Sequence, residues 1–235
     1  IGIETPDEAS LKVSHKNQNL RRNLMENIVF LHQKGFIISG GFIVGFDSDD
    51  ETIFKRQINF IQQSGIPLPI VNILKAPPGT DLFRRIKAEN RLSKDFAFAE
   101  GDTNVVPIMG EEKLYSGFLE VTQNIYLPQN SYLRIIRFFT TYGFPKTDIK
   151  IKTPFSLLQL KMLLLVVFRL GIKDANRKYF WKLIIWSLTH NRKFLDKAFF
   201  YGIMIYQMHQ TYFNMKSQVN VELKRISQKE YTVAV

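Results

Sequence analysis

The 235-residue chain is 45% hydrophobic and 13% aromatic, enough apolar material for a sizeable core in one or two domains, which excludes a disordered tail. It holds no cysteine, which excludes disulfides and any zinc or iron–sulfur site built on thiolates of this sequence. The formal net charge of +11 is unevenly placed: residues 1–150 carry 18 Lys+Arg against 17 Asp+Glu, a net +1, and residues 151–235 carry 14 against 4, a net +10. That asymmetry fits an anionic partner, a membrane surface or nucleic acid, and equally a solvated basic face.

The chain opens on Ile1-Gly2-Ile3 with no initiator methionine and no signal-peptide pattern, so natural sequence is expected upstream of residue 1. A reducing, cytoplasmic setting is the default for a cysteine-free chain.

Ile1-Gly2-Ile3 reads as the end of a strand. A helix is expected after Asn19, with Leu20, Leu24, Ile28 and Leu31 at helical spacing and Gly35 as its stop. Phe36 to Val44 is an apolar run broken only by Ser39, Gly40 and Gly41, the pattern of a strand buried on both faces in a parallel sheet. Ser48 and Glu51 have the spacing of a capping box, with Asp49 and Asp50 at the positive end of the helix dipole. The helix that follows shows Ile53, Phe54, Ile58 and Ile61 on one face and stops at Gly65. Ile70 to Leu74 reads as a third strand, Pro77-Pro78-Gly79 as a rigid turn, and Thr80 or Asp81 as the start of a helix through Arg91.

The order β-α-β-α-β-α predicts parallel strands joined by helical crossovers. Three parallel strands leave bare edges, so they are expected to be one portion of a larger barrel whose earlier strands precede residue 1.

From Gly101 onward the periodicity is helical only. Helices are expected over 111–125, over 131–141 after a break at Pro128, from near Pro154 to Gly171, over 179–188 and over 194–214, while 217–235 carries no clear assignment. A membrane span needs about 20 mostly apolar residues, and the run from Leu157 to Phe168 is interrupted by Lys161 and ends at Arg169. Interfacial binding stays open, because Trp181, Trp186, Phe194 and Tyr201 lie among Lys178, Lys182, Arg192, Lys193 and Lys197. The competing reading has these aromatics filling a helical core.

Three segments, IGIETPDEASLK, GGFIVGFDSDDE and VNILKAPPGTDLF, are separated by one helix each. In this order they resemble the fourth, fifth and sixth strands of radical S-adenosylmethionine (SAM) barrels. The string LYSGFLEVTQNIYLPQNSYLRI resembles the helical segment after the barrel in cobalamin-binding radical SAM proteins, and the tail resembles their C-terminal extension. The resemblance implies an α/β fold: the C-terminal half of a partial, TIM-like β/α barrel over residues 1–100, followed by an all-helical extension over 101–235.

It also implies a SAM site at the C-terminal ends of the strands, where barrel ligands bind. Glu4 and Thr5 would contact the ribose hydroxyls or the amino group of SAM, although Glu4 also suits a cap of the turn before Pro6. Gly41 and Gly45, flanking Ile43, match the glycines of the fifth-strand motif, where a missing Cβ lets adenine approach the backbone. The family's glutamate three residues after the second glycine is Ser48 here, and Asp47 or Glu51 would have to supply the acid. Leu74 and Ala76 stand where main-chain groups receive adenine.

The family's three-cysteine motif for a 4Fe-4S cluster and its cobalamin-binding domain would lie upstream, so the missing N-terminal region is the first expected partner. His15, His32, His190 and His209 show no metal-ligand spacing. The resemblance thus implies a fragment of an enzyme that cleaves SAM to a 5′-deoxyadenosyl radical, in the manner of cobalamin-dependent methyltransferases, on an unidentified, lipid-like substrate. No catalytic residue is assigned. The alternative is a non-catalytic helical binding module whose basic tail meets a membrane surface or partner. No recognition motif supports nucleic acid.

Overall fold

Alternation along three short strands decides which side of the sheet is packed. The computed structural model describes residues 1–6, 23–93, 101–145 and 156–233. Strands β1 (Gly2–Glu4), β2 (Ser39–Val44) and β3 (Leu68–Ile73) form one sheet in the order β1-β2-β3, both pairs parallel as the sequence order predicts. Helices α1 (Leu24–Gln33) and α2 (Ile53–Ser64) lie between them in the chain. Ile3, Phe42, Val44, Val71 and Ile73 point to one face and are almost wholly buried. Gly41, Ile43, Ile70 and Asn72 alternate with them on the opposite face, where Ile70 is 52% exposed.

Several boundaries differ from expectation for local reasons. Asn19 and Leu20 lie outside the described residues, and α1 is capped by Asn23, whose Oδ1 accepts from the Glu26 amide at 3.4 Å. The run from Phe36 becomes a strand only at Ser39, because the exposed Phe36 and Ile37 first carry the chain from α1 to the sheet. Helix α2 starts at Ile53, not at the Ser48 box. Asp50 accepts from the Thr52 amide at 2.9 Å and its hydroxyl at 2.6 Å, a turn that holds the helix start downstream, while Glu51 takes Lys113 Nζ at 2.5 Å. Helix α3 (Asp81–Ala88) opens on Thr80, whose hydroxyl accepts from Phe83 N at 3.1 Å, and ends three residues before Arg91.

The remaining helices are α4 (Glu111–Tyr126), α5 (Pro128–Thr141), α6 (Leu157–Val166), α7 (Arg177–His190) and α8 (Leu195–Val233); a π-helical turn (Val167–Lys173) follows α6 and a 3-10 turn (Arg192–Phe194) precedes α8. Pro154, the expected start of α6, lies outside the described residues. Pro128 opens α5 instead of breaking the chain ahead of it, since its missing N–H costs nothing in a first helical turn. Residues 217–233, unassigned from sequence, continue α8. There Val219, Leu223 and Ile226 recur at helical spacing and pack into the sheet core.

Two apolar clusters result. The first joins the covered sheet face to α1, α2, α4 and the distal half of α8 through Tyr212, Met215, Val219 and Ile226. The second joins Ile135, Phe138 and Phe139 of α5 to Phe180 and Leu183 of α7, Phe194, and Tyr201 and Ile205 of α8. With 39 residues α8 is about 58 Å long and reaches both.

His32 sits between the clusters, fully buried in the last turn of α1 and edge-on to Phe138 with ring centroids 4.9 Å apart. Among the described residues neither ring nitrogen has a partner, and burial pushes its pKa down from 6.5 to about 4. The folded state therefore holds His32 neutral over a range in which the unfolded chain binds a proton. Stability is expected to fall as pH drops from about 6.5 to about 4, by up to about 3 kcal/mol. Urea unfolding across that range measures the slope, and His32→Leu should flatten it; an unchanged slope in the variant would assign the acid sensitivity elsewhere.

Candidate cofactor site at the strand ends

The C-terminal ends of the three strands form one rim, and each end is shaped differently. At β1 the register with β2 slips between Gly2 and Glu4, and Glu4 takes a left-handed backbone with φ of 70°. A non-glycine residue there is uncommon, and such strain gathers at functional sites. Gln57 of α2, itself buried, donates to the Glu4 carbonyl at 3.4 Å, and Thr5 is wholly buried behind it.

At β2, Gly45 has φ of +97°, and a Cβ there would stand 3.0 Å from Leu114 Cδ1 of α4. The amides of Gly45 and Phe46 both donate to Asp49 Oδ2, at 2.8 and 3.0 Å. Backbone conformation and helix packing thus account for this glycine. Gly41 differs: a Cβ there would meet only the Ile1 carbonyl at 3.8 Å, an ordinary contact. It lies with Ile43 on the less buried sheet face.

At β3, the Leu74 amide continues the ladder to Val44 O at 2.9 Å, and Thr103 Oγ1 donates to Leu74 O at 2.6 Å. Asn104 engages both main-chain groups of Ala76, accepting from its amide and donating to its carbonyl at 2.9 Å each. The polar backbone at Leu74 and Ala76 is therefore already bonded within the chain, leaving each carbonyl one further lone pair.

Asp47 and Glu51, the acids next to the Ser48 departure, are both ion-paired. Arg85 Nη1 and Arg91 Nη2 each reach an Asp47 oxygen at 2.6 Å, and Arg91 also bonds Glu89 at 2.6 Å and Val106 O at 3.0 Å. Partial burial raises the Asp47 pKa, but the hydrogen bonds and charges of Arg91 and Arg85 outweigh it and hold the carboxyl below the ordinary range. Asp47 is thus a structural clamp between the β2 end and α3.

Sequence reasoning missed Gln57, Thr103 and Asn104, which touch the rim from other elements and carry no local motif. His15 lies outside the described residues. His190 stacks on Trp186 at 4.6 Å and His209 is edge-on to Phe213 at 4.8 Å. Among the described residues no cluster of His, Cys, Asp and Glu can hold a metal ion.

The four tail aromatics do not form a shared exposed face. Phe194 and Tyr201 are buried, Trp186 is half-buried against Phe139 at 5.5 Å, and Trp181 is exposed, its Nε1 donating to Gly171 O at 2.8 Å.

Comparison with known proteins now bears on this arrangement. Residues 80–221 match the family described as a domain of unknown function, DUF4070. The chain belongs to this family. It is 34% identical over 194 residues to an uncharacterized methyltransferase of Synechocystis sp., covering 81% of this chain and 36% of that protein. It is 28% identical over 186 residues to the hopanoid C-2 methylase of Rhodopseudomonas palustris, covering 77% and 35%. A bacteriochlorophyllide d C-12(1)-methyltransferase of Chlorobaculum tepidum is 32% identical over 130 residues, 54% of this chain and 28% of that protein. The chain spans about a third of the length of the first two relatives. No solved structure matches. These relations identify a C-terminal part of a cobalamin-binding radical SAM family protein, as the sequence resemblance implied.

Asn104→Ala should leave the buried amide and carbonyl of Ala76 without partners and lower stability by about 1–3 kcal/mol. Denaturant unfolding of the variant measures this, and a loss under about 0.5 kcal/mol would show that the bonds are not held in solution.

Proposed function

We propose that the chain supplies the last three strands of a radical SAM partial barrel (residues 1–100) and its helical extension (101–235) to a cobalamin-dependent methyltransferase. The observation that carries this reading is the one-sided packing of a parallel sheet. All-parallel sheets are covered on both faces, yet here helices cover the Ile3, Phe42 and Val71 face while Ile70 on the other stays half exposed. A barrel interior supplies the missing cover. The names of three relatives as methyltransferases or methylases support the enzyme reading over a non-catalytic module.

On this reading SAM meets the rim, with Glu4 toward its ribose or amino group, the expected second contact Thr5 lying buried behind Glu4, and Gly41 and Ile43 beneath adenine. The fit is best at Gly41, whose missing Cβ the chain's own packing does not require. It is narrower at Leu74 and Ala76, where only carbonyl lone pairs stay free for a ligand. Gly45 would shape the loop and not touch the ligand. The 4Fe-4S cluster does not fit this chain, which has no cysteine, and its ligands, like the cobalamin-binding domain, would come from the upstream partner region. When bound, SAM would supply the 5′-deoxyadenosyl radical of the family on taking one electron from the upstream cluster, with methionine as the leaving fragment. The substrate we propose is lipid-like, and the setting is cytoplasmic, at the membrane surface. Among the described residues no helix is long and apolar enough to cross a membrane.

The test compares this chain with a natural full-length protein containing it after anaerobic iron–sulfur reconstitution. The long protein is expected to yield 5′-deoxyadenosine from SAM and this chain alone none; cluster-dependent product from the chain alone would overturn the account. Gly41→Val in the long protein should weaken SAM binding by at least about tenfold, about 1.4 kcal/mol, while leaving thermal stability nearly unchanged. Undiminished SAM binding would remove Gly41 from the site.

A further inference from the structure

Helix α6 is the least explained element of the chain. Eight of its ten residues are apolar, the exceptions being Gln159 and Lys161, and none of the ten is buried. Leu157 is 86% exposed and Leu164 59%. A ten-residue helix is marginal by itself in water, and contiguous apolar exposure on this scale marks an interaction surface.

The surface does not end with α6. Phe168 and Ile172 extend it along the π-helical turn, and both are exposed. The Trp181 indole, bonded to Gly171 O at 2.8 Å, brings α7 against that turn. On α7 the exposed Trp181, Ile185 and Leu188 continue the apolar stripe at helical spacing.

Charge surrounds this surface. Residues 156–193 hold eight Lys and Arg and one acid, Asp174. Lys161, Arg169, Lys173, Arg177, Lys178 and Lys182 are all exposed. Arg169 is tied to the folded body by its bond to Tyr206 Oη at 3.0 Å, and Lys173 lies 4.9 Å over the Phe168 ring. Cations thus stand at the level where the apolar helix leaves the body of the protein.

We infer that α6 and the π-helical turn, with the Trp181–Leu188 stripe of α7, dock onto an anionic lipid bilayer, α6 lying in the interface among the acyl chains. Three observations select this occupant. Helix α6 is apolar on every side, which in water calls for a cover of protein or of acyl chains, and the lysines and arginines around it favour acyl chains beneath anionic headgroups. A second copy of the chain would bring two rims of like charge together, which opposes association. The basic rim matches anionic headgroups, and the Lys161 stem is long enough to carry its ammonium out to them. The element lies on the membrane and does not span it. This inference rests on exposure and charge and stands apart from the SAM reading.

The experiment is co-sedimentation of the full 235-residue chain with vesicles of phosphatidylcholine alone and of phosphatidylcholine with phosphatidylglycerol, across a salt series. Binding is expected to the anionic vesicles, at least about tenfold weaker to the neutral ones, and to decline with salt. Leu157→Glu with Leu164→Glu should reduce it by at least about tenfold, and single Lys161→Ala or Lys178→Ala by roughly fivefold. Because α6 has no buried residue, circular dichroism and melting of the double variant should match the parent. Absence of binding to anionic vesicles, or binding unchanged by the double substitution, overturns the proposal. So does a concentration-dependent dimer in sedimentation velocity that the same substitutions dissolve in a chain that ignores vesicles, since the face would then belong to a second copy.

Discussion

Ile3, Phe42, Val44, Val71 and Ile73 share one face of the sheet, and removing each from water is worth about 1.5–3 kcal/mol. Short parallel strands supply little else to hold them in place, so the helices are arranged around that face. Helix α4 approaches α2 closely because residue 117 is glycine; an added Cβ would stand 2.2 Å from the Phe54 ring. The distal half of α8 then completes the cover with Tyr212, Met215 and Val219. The sheet core accordingly joins residues more than two hundred positions apart, and the proximal half of the same helix builds the aromatic cluster with α5 and α7. One rigid helix thus links the packing of the strand region to that of the basic extension.

A second constraint is the outer edge of β3, which would otherwise present unpaired backbone. Tyr126 closes its first part: its hydroxyl accepts from Val71 N at 3.4 Å and donates to Pro69 O at 3.3 Å. Thr103 and Asn104 close the continuation at Leu74 and Ala76. Tyr126 is the last residue of α4, so its position depends on the corner between α4 and α5. There Arg134, buried and, among the described residues, without a carboxylate on its guanidinium, donates to Ile125 O at 2.9 Å, joined by Ser131 Oγ at 3.0 Å. Burial lowers the Arg134 pKa to about 10, still far above neutrality, and the negative end of the α4 dipole stabilises the charge. The string from Leu114 to Ile135 that carried the family resemblance is therefore, in physical terms, a device for sealing one sheet edge. Among the described residues the outer edge of β3 is thus met by side chains, while β1 is the other edge of the sheet.

What the sequence disclosed was what periodicity encodes. The three strands, their parallel order and the crossover helices follow from short apolar runs alternating with helical periods, and the helix start at Thr80 follows local chemistry, whereas the cap at Asn23 lies beyond the expected start at Asn19. The Ser48 box failed because adjacent acids compete: Asp50 turned toward Thr52, Asp49 turned back to Gly45, and Glu51 found Lys113 sixty-two residues away. The helix over 217–233 was obscured because its polar residues outnumber the Val219, Leu223 and Ile226 that face the core. At the rim, glycines and an acidic residue were visible as motifs, whereas Gln57, Thr103 and Asn104 become legible only once the fold brings them near. The tail aromatics misled in the opposite sense. Phe194 and Tyr201 look interfacial beside lysines, yet they are core, and the exposed surface is the leucine helix that Lys161 had made unremarkable.

The two glycines of the second strand motif show how a fold narrows the inference from a resemblance. Gly45 is demanded twice by the chain itself, through its positive φ and through Leu114, so its presence carries no information about a ligand. Gly41 has an ordinary extended place in β2, pairs with Gly2 and Ile70, and has room for a side chain. A glycine in a strand interior weakens the strand and loses entropy on folding. A valine there would favour the sheet, so the packing of this chain does not itself call for a glycine at 41. Close approach of a flat ligand to the backbone between Gly2 and Ile70 is the physical use that its missing Cβ permits, and it lies on the sheet face that the helices leave uncovered.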